Sequence, residues 1–427
     1  MKNVLNKKTA IILIFSCSLA QILIAQDKII KTDSSTIEAK VMEITDVDII
    51  YKKFSNPTGP TYNIKKTEVM TIVYQNGTKE DYNTTAKPKE TNIQSAQQTY
   101  VTQVKPVGSD FWGYANQKGE IIIQAQFKKC YKFSPEGLAP IYDAINKQYY
   151  FINLKGERLS TEITNFKLND GFGFDVEGFI NGLIAIKQGE KWGYLNSNGK
   201  VAIPIKYDYA SEFNGGYAVA KSGEKYIVLN TKGEEFPVDG SGIVDVKPFS
   251  EEMAPYKTAD KKFGFVGKDG KIVIQSQFES VGYFNDGLAW AKTIGGTLGY
   301  INPKGEWIIK PQFTAGKNFD AESGLARIKL GEKWAYVNKA GEITYVNDTD
   351  AWGDFSNGLA EGKRNDKRGF YNNKAQWVIE PQFDGTREFK NGHAAVKQGD
   401  KWGIINKEGK WVIQPSFTTI KDFELVK

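Results

Sequence analysis

Residue types that do acid–base, nucleophilic or metal chemistry are scarce in this sequence: one histidine, His393, and two cysteines, Cys17 and Cys130, in 427 residues. A His/Cys zinc site needs three or four such ligands, so none can be assembled, and any histidine-dependent triad must pass through His393. In equivalent stretches that position holds Leu288, Leu325 and Leu359, so His393 reads as a packed variant with no catalytic partner. Asp348 and Asp350, within Asn347-Asp348-Thr349-Asp350, have the spacing of two calcium ligands. The glycine and glutamate that complete a known calcium loop do not follow. The expectation is no enzymatic activity, no catalytic residue, no cofactor and no metal, with the binding residues unknown. What the chain does have is aromatic: Trp 9, Tyr 21 and Phe 25. Such rings either stack on sugars and bases or fill a core.

Something must position these rings. With 40% apolar and 25% charged residues the composition is that of a folded chain, and Gly 42 with 13% aromatics points to β-structure with many tight turns. Lys2, Lys7 and Lys8 precede an apolar run over residues 9–25, and Gln26-Asp27-Lys28 follows it. This is the pattern of an export signal cleaved after Ala25, and the run is too short for a membrane span. The alternative is a lipid anchor on Cys17, since Ile14-Phe15-Ser16-Cys17 loosely resembles a lipobox, although the apolar stretch continues past the cysteine. Either way the protein is expected in the periplasm, the outer envelope or the medium. With Cys17 removed, Cys130 has no disulfide partner, and stability must come from packing. The formal charge of +6 includes three signal lysines, which leaves +3 spread among interleaved acids and bases. Neither nucleic acid nor a basic membrane patch is indicated.

Residues 26–82 alternate in strand fashion, as in Ile37, Ala39, Val41 and again Val69, Thr71, Val73. Thr45-Asp46, a Pro-Gly-rich loop at residues 56–60, and Gln75-Asn76-Gly77-Thr78 supply the turns. About five short strands follow, and a small barrel of SH3-like or Sm-like type would remove their edges. Residues 83–109 are rich in Thr, Gln, Lys and Pro and read as a linker.

The rest, residues 110–427, is a repeat. Anchors at Trp112, Tyr149, Trp192, Tyr226, Phe263, Leu298, Trp334, Arg368 and Trp402 are spaced 34 to 43 residues apart. Four positions after the anchor stands Asn in eight of nine units, and seven positions after it Gly in eight of nine, where composition predicts about one. Phe recurs 21 positions after seven anchors, for example at Phe213, Phe284 and Phe389. The segments Trp192-Gly193-Tyr194-Leu195-Asn196 and Trp402-Gly403-Ile404-Ile405-Asn406, with the Ile-x-Pro-x-Phe of Ile413 to Phe417, resemble the WG-repeat family from about residue 111 onward. The resemblance implies tandem β units on exported or surface proteins, commonly without an assigned catalytic residue. Tyr149-Tyr150 and Tyr226-Ile227 lack the Trp-Gly pair, and residues 234–246 have lost Ile-x-Pro-x-Phe, so those two units are expected to pack differently. Gly171-Phe172-Gly173-Phe174 reads as an insertion loop.

One unit reads as three antiparallel strands, residues 394–397, 402–406 and 410–417. In the second turn Asn bonds the backbone two residues on and Gly supplies a positive φ. The Gly beside Trp lets a neighbouring strand or ring approach, Pro415 marks where strand three leaves its ladder, and the recurring Phe residues form seams between units. A three-stranded sheet cannot bury enough surface alone, so each unit leans on its neighbours. Fold class is thus all-β: a small barrel-like module followed by about nine repeats, open superhelical or propeller-like. The short period favours the open form. The anchor position accepts Tyr, Phe and Leu, which favours interior packing for its rings over ligand stacking, and Trp307, Trp377 and Trp411, at a position otherwise filled by Ile or Val, read as core. The expected function is that of an exported, non-enzymatic binding or scaffolding protein whose extended repeat surface engages a protein partner. The alternative is glycan binding through exposed rings.

Overall fold

In a computed structural model the described residues are 27–31, 35–54, 56–75, 78–82, 99–170 and 176–426. The signal run, Cys17, residues 83–98 of the linker, the Asn76-Gly77 turn and the loop at residues 171–174 lie outside them. Two compact units divide the chain, residues 1–96 and 97–427.

In the first unit, β1 (Asp27–Lys31), β2 (Thr36–Ile44), β3 (Asp48–Lys53), β4 (Tyr62–Lys65), β5 (Val69–Val73) and β6 (Lys79–Asp81) form one antiparallel sheet in the order β4-β3-β2-β1-β5-β6. Alternation puts Ile29, Ala39, Ile49 and Ile72 on one buried face, as a period of two requires. Thr45 closes the β2–β3 turn, its hydroxyl accepting from the amide of Asp48 at 2.9 Å. The sheet curls until the Lys66 ammonium lies 5.4 Å from the centre of the Tyr82 ring. Its end strands β4 and β6 do not pair with one another, so the barrel closure expected from sequence is not made.

The second unit begins earlier than composition suggests. Residues 99–106, read as linker, are strand β7 (Thr99–Pro106), which pairs with β8 (Trp112–Asn116), itself paired with β9 (Ile121–Phe127). β7 looks polar because its centre is Thr102 and Gln103, yet both are buried. Their partners are remote in sequence: Thr102 Oγ1 donates to the Lys421 carbonyl at 2.8 Å and Gln103 Nε2 to the Cys130 carbonyl at 2.8 Å. Paired in this way, buried polar groups escape the penalty of an unmet hydrogen bond.

In the unit anchored at Trp334 the third strand is only Ile343–Thr344, but most later units repeat the three expected strands, as in Leu183–Gln188, Lys191–Asn196 and Val201–Tyr207. After one intervening residue the chain forms a two-residue strand, Tyr209–Ala210, which joins the next sheet as a fourth strand. The deviant units do differ: beyond Tyr149 the third strand shrinks to the single bridge Ile152↔Arg158, and beyond Tyr226 to Glu235–Pro237. The turn chemistry holds. Asn196 Oδ1 accepts from the amides of Asn198 and Lys200 at 3.0 Å each, and Gly199 has φ +75.

The Gly beside Trp also has its reason. A Cβ on Gly193 would sit 2.7 Å from the Ile203 carbonyl oxygen, because the third strand bulges against it. In the last unit Ile404 faces Ile413 while Trp402 faces Phe417, so four steps oppose two. Pro415 therefore sits inside a bulge, and the strand rejoins its ladder at Phe417 rather than leaving it at the proline.

Sheets pack face to face. Ala185 and Tyr194 on one sheet meet Ala218, Ala220 and Leu229 of the next, while Ile184 and Leu195 on its other face meet Phe151 and Phe179 of the one before. The Tyr194 hydroxyl donates to the Ser211 carbonyl in the following unit at 2.7 Å, and Tyr114, Tyr300 and Tyr336 repeat that bond. Each fully buried ring contributes about 2–3 kcal/mol through lost contact with water.

The array is closed. The last long strand, Trp411–Ile420, pairs with β7, Ile420 against Val104, and Glu424–Val426 pairs with its first residues. Residues 418–420 thus supply the first sheet with the short strand that most other units receive from the connection before them, as at Tyr209–Ala210 and Gly385–Thr386. Side-chain packing closes in step: Gly409 rests on Ile379 of the preceding unit, and Gly119 of the first unit rests on Ile413 of the last. Of the two arrangements open to the sequence, the propeller-like ring is the one formed, against the open array that the short period favoured. A bent strand reaching from one sheet into the next lets a unit of about 35 residues present four strands.

Candidate binding cavity

All nine tryptophans are half-buried. Trp307 and Trp411 lie edge-on against Phe278 and Phe383 of the preceding units, centroids 5.7 and 5.8 Å apart, so they occupy seams. At the anchors a cation of the same chain covers the ring: Lys105 over Trp112, Arg327 over Trp334 at 4.7 Å and Arg387 over Trp402 at 5.5 Å. His393 is packed edge-on between Tyr100 and Phe423, each centroid at 5.1 Å, with Nδ1 2.7 Å from the Asn391 carbonyl. Asp348 is engaged by the Arg364 guanidinium and by Trp377 Nε1, and Asp350 uses its amide on the Lys363 carbonyl. Cys130 is a buried thiol that forms no disulfide among the described residues, with Gln103 Nε2 3.7 Å from its Sγ. The structure brings none of these residues together into one site.

A different set converges. In at least three units the residue before the recurring Phe, or its equivalent, reaches back to the middle of the first long strand of the preceding unit. Gly178 sits over Pro140, the Ala185 amide donates to Glu212 Oε2 at 3.1 Å, and Asp354 Oδ1 lies 2.7 Å from Arg327 Nε. The Phe is buried and its neighbour faces the other way, as alternation along a strand dictates. In five units the mid-strand position holds a small residue, among them Ala185, Val219 and Pro255, but three consecutive units place Trp290, Arg327 and Glu361 there.

The backbone makes room for them. A Cβ on Gly282 would collide with the Trp290 indole, and one on Gly353 would lie 3.0 Å from the Glu361 Cβ. The equivalent of both glycines elsewhere is Ser211, Lys247 or Lys317. Trp290, Tyr283, Asn318, Asp320 and Asp354, from three successive units, line one cavity of about 620 Å³. Arg327 is held from several sides, stacked on Trp334, paired with Asp354 and donating to the Trp352 carbonyl, and its side chain stays 19% exposed. Next to it Glu361 accepts from Arg368 and from the Thr386 hydroxyl.

The field on this side is negative. Burial, then the carboxylates of Asp354 and Glu361, raise the pKa of Glu388, and Arg327 only partly opposes them. In a different sector burial pushes Glu212 up to about 8 against a lone amide bond. Sequence reading missed this entire set. Its signal lay in aligning the nine units and asking where a small apolar slot turns into Trp, Arg or Glu.

A family profile described as "WG containing repeat" matches residues 112–143, 192–226, 263–296, 299–334, 369–402 and 402–424. No curated protein matches the chain. Among solved structures, PorZ, a surface component of the type-IX secretion system of Porphyromonas gingivalis, is 11% identical with a TM-score of 0.28, over 73% of this chain and 50% of its own. The chain therefore spans half the length of that structure. BamB from Moraxella catarrhalis is 10% identical with a TM-score of 0.34, over 72% of this chain and 88% of its own. Hsv2 of Kluyveromyces lactis is 8% identical with a TM-score of 0.33, over 56% of this chain and 95% of its own.

Proposed function

The repeat array of this chain belongs to the WG-containing repeat family, and from that premise we propose that the protein is an exported, non-enzymatic binding or scaffolding protein that engages a protein partner through its ring of β units. One observation carries the reading. The positions that pack one unit on the next hold to type, while the cavity is lined by Tyr283, Trp290, Asn318 and Asp354, with Arg327 and Glu361 in the equivalent mid-strand slots beside it. A fixed frame with varied lining is how a repeat protein builds a recognition surface. The lone imidazole is spent in packing, which supports a role without chemistry, and the apolar run after three lysines supports export.

The glycan alternative draws less support, because the anchor rings are half-buried and several already carry a cation on one face. A photo-crosslinking residue at Tyr283, in cells, tests the choice, with Ile145 on a distant exposed turn as control. A protein adduct at position 283 and none at 145 is expected. No adduct, together with a saturable signal for the parent on a glycan array, would replace the protein partner with a sugar.

A further inference from the structure

The geometry points to a basic side chain, lysine or arginine, as the group that the partner inserts into the cavity between the sixth and eighth units. This deepens the protein-binding reading and rests on it. One wall is aromatic: Tyr283 is 37% exposed, and the half-buried Trp290 indole is set in place by the notch at Gly282. The opposite wall carries Asp320 and Asp354, with Glu388 close enough to Asp354 and Glu361 to feel their charge; Lys317 also lines the cavity, and Arg327 is already paired with Asp354. Ring faces attract ammonium and guanidinium groups, and carboxylates in a recess add a field that water screens poorly.

The chain's own contacts show the same preference. Its anchor rings are covered by Lys105, Arg327 and Arg387, each 4.7 to 5.5 Å from a ring centre. At Trp290 no cation of the chain lies over the ring among the described contacts, while at Trp334 one strand-pair further on Arg327 fills that role. The cavity thus brings rings and carboxylates together as the cluster of Trp334, Arg327 and Asp354 does, with no cation of the chain over the Trp290 ring among the described contacts. An anionic group would face Asp320, Asp354 and Glu388, and a neutral apolar one would desolvate Asp320, which has no ion-pair partner among the described residues.

The test uses the purified full chain and dye-labelled nine-residue peptides of Gly and Ser carrying at the centre two Arg, two Lys, two Leu or two Glu, read by fluorescence anisotropy at low and moderate salt. The Arg and Lys peptides are expected to bind, more weakly at higher salt, and the Leu and Glu peptides to bind at least tenfold more weakly. Tyr283→Ser, at an exposed position, and Asp354→Asn are each expected to weaken the Arg peptide about tenfold. The Tyr283→Ser protein should melt like the parent, so loss of fold does not explain its result. Equal binding of Leu or Glu peptides, or Arg-peptide binding that neither substitution alters, would overturn the proposal. If the crosslink at 283 captures a protein while no basic peptide binds, this inference fails and the protein-binding reading stands. If basic peptides bind and no protein is captured, the reverse holds.

Discussion

Glu212 shows how much one side chain is asked to do. The strand Leu183–Gln188 has only the bridge Lys167↔Lys187 on its free side, so the Ala185 amide would lack an acceptor if the carboxyl of the next unit did not supply one. Burial raises that carboxyl from 4.5 to about 8. Below pH 4.5 it is neutral folded or unfolded, and it costs nothing. Between 4.5 and 8 the unfolded chain ionises and the folded one does not, so the unfolded state binds fewer protons and stability falls as pH rises. Glu212→Gln keeps an acceptor and removes the titration. Its melting temperature should match the parent near pH 5 and exceed it above pH 8, and a variant no more stable at pH 9 would remove Glu212 from this role. Tyr194→Phe should cost about 1 kcal/mol in thermal melts, the worth of the bond to Ser211 that it deletes. Trp402→Ala should cost about 2 kcal/mol, below the roughly 3–5 of a fully buried ring, because the indole is half-exposed beneath Arg387. A cost of the full size would mean the ring is core.

At the scale of the element, two kinds of glycine look alike in the repeat and have different reasons. The Gly of the Asn turn is there for its backbone angle, and one unit accepts a Cβ, since Ala375 occupies that place at φ 59, although at Gly199 and Gly270 a neighbouring carbonyl also stands in the way. Nothing lies within 4 Å of where a Cβ would stand on Gly341, so Gly341→Ala should cost about 1 kcal/mol. The Gly beside Trp faces the backbone of a bulged strand, which cannot step aside, and Gly193→Ala should cost about 2–3 kcal/mol by the same melts. Reversal of that order would show the bulge to be soft. Asn196 and the backbone angle of Gly199 were legible from sequence because those demands are local, met within four residues of chain, whereas the close approach of the Ser160 carbonyl to Gly199 was not. The contact of Gly193 with the next strand was legible in kind, since a missing side chain beside a repeated ring implies a close approach. Arg327 and Asp354 were not, because their partnership runs between units and each looks, inside its own repeat, like a surface charge. Pro415 misled for a related reason: a bulge and a strand end share the lack of a donor.

At the scale of the molecule, the ring depends on a junction that no repeat announces. β7 reads as linker from sequence because Thr102 and Gln103 are polar, and what makes them interior residues is the Lys421 carbonyl near the far end of the chain for one and the Cys130 carbonyl of the next unit for the other. Deleting residues 418–427 removes the short strand of the first sheet and bares one edge of β7. The shortened protein should melt at a lower temperature and associate with concentration through that edge, seen by size-exclusion chromatography at two loadings. A monomer that melts like the parent would show that closure adds nothing. The junction also sets a clock. Thr102 and Lys421 are 319 residues apart, and at roughly 5–20 residues per second of synthesis β7 waits about 15 to 60 s for its partner. Until then the neighbouring sheets can pair locally, but the first cannot be finished. The repeat array thus carries its own delay, since residues 418–426 are the ones that lock the ring.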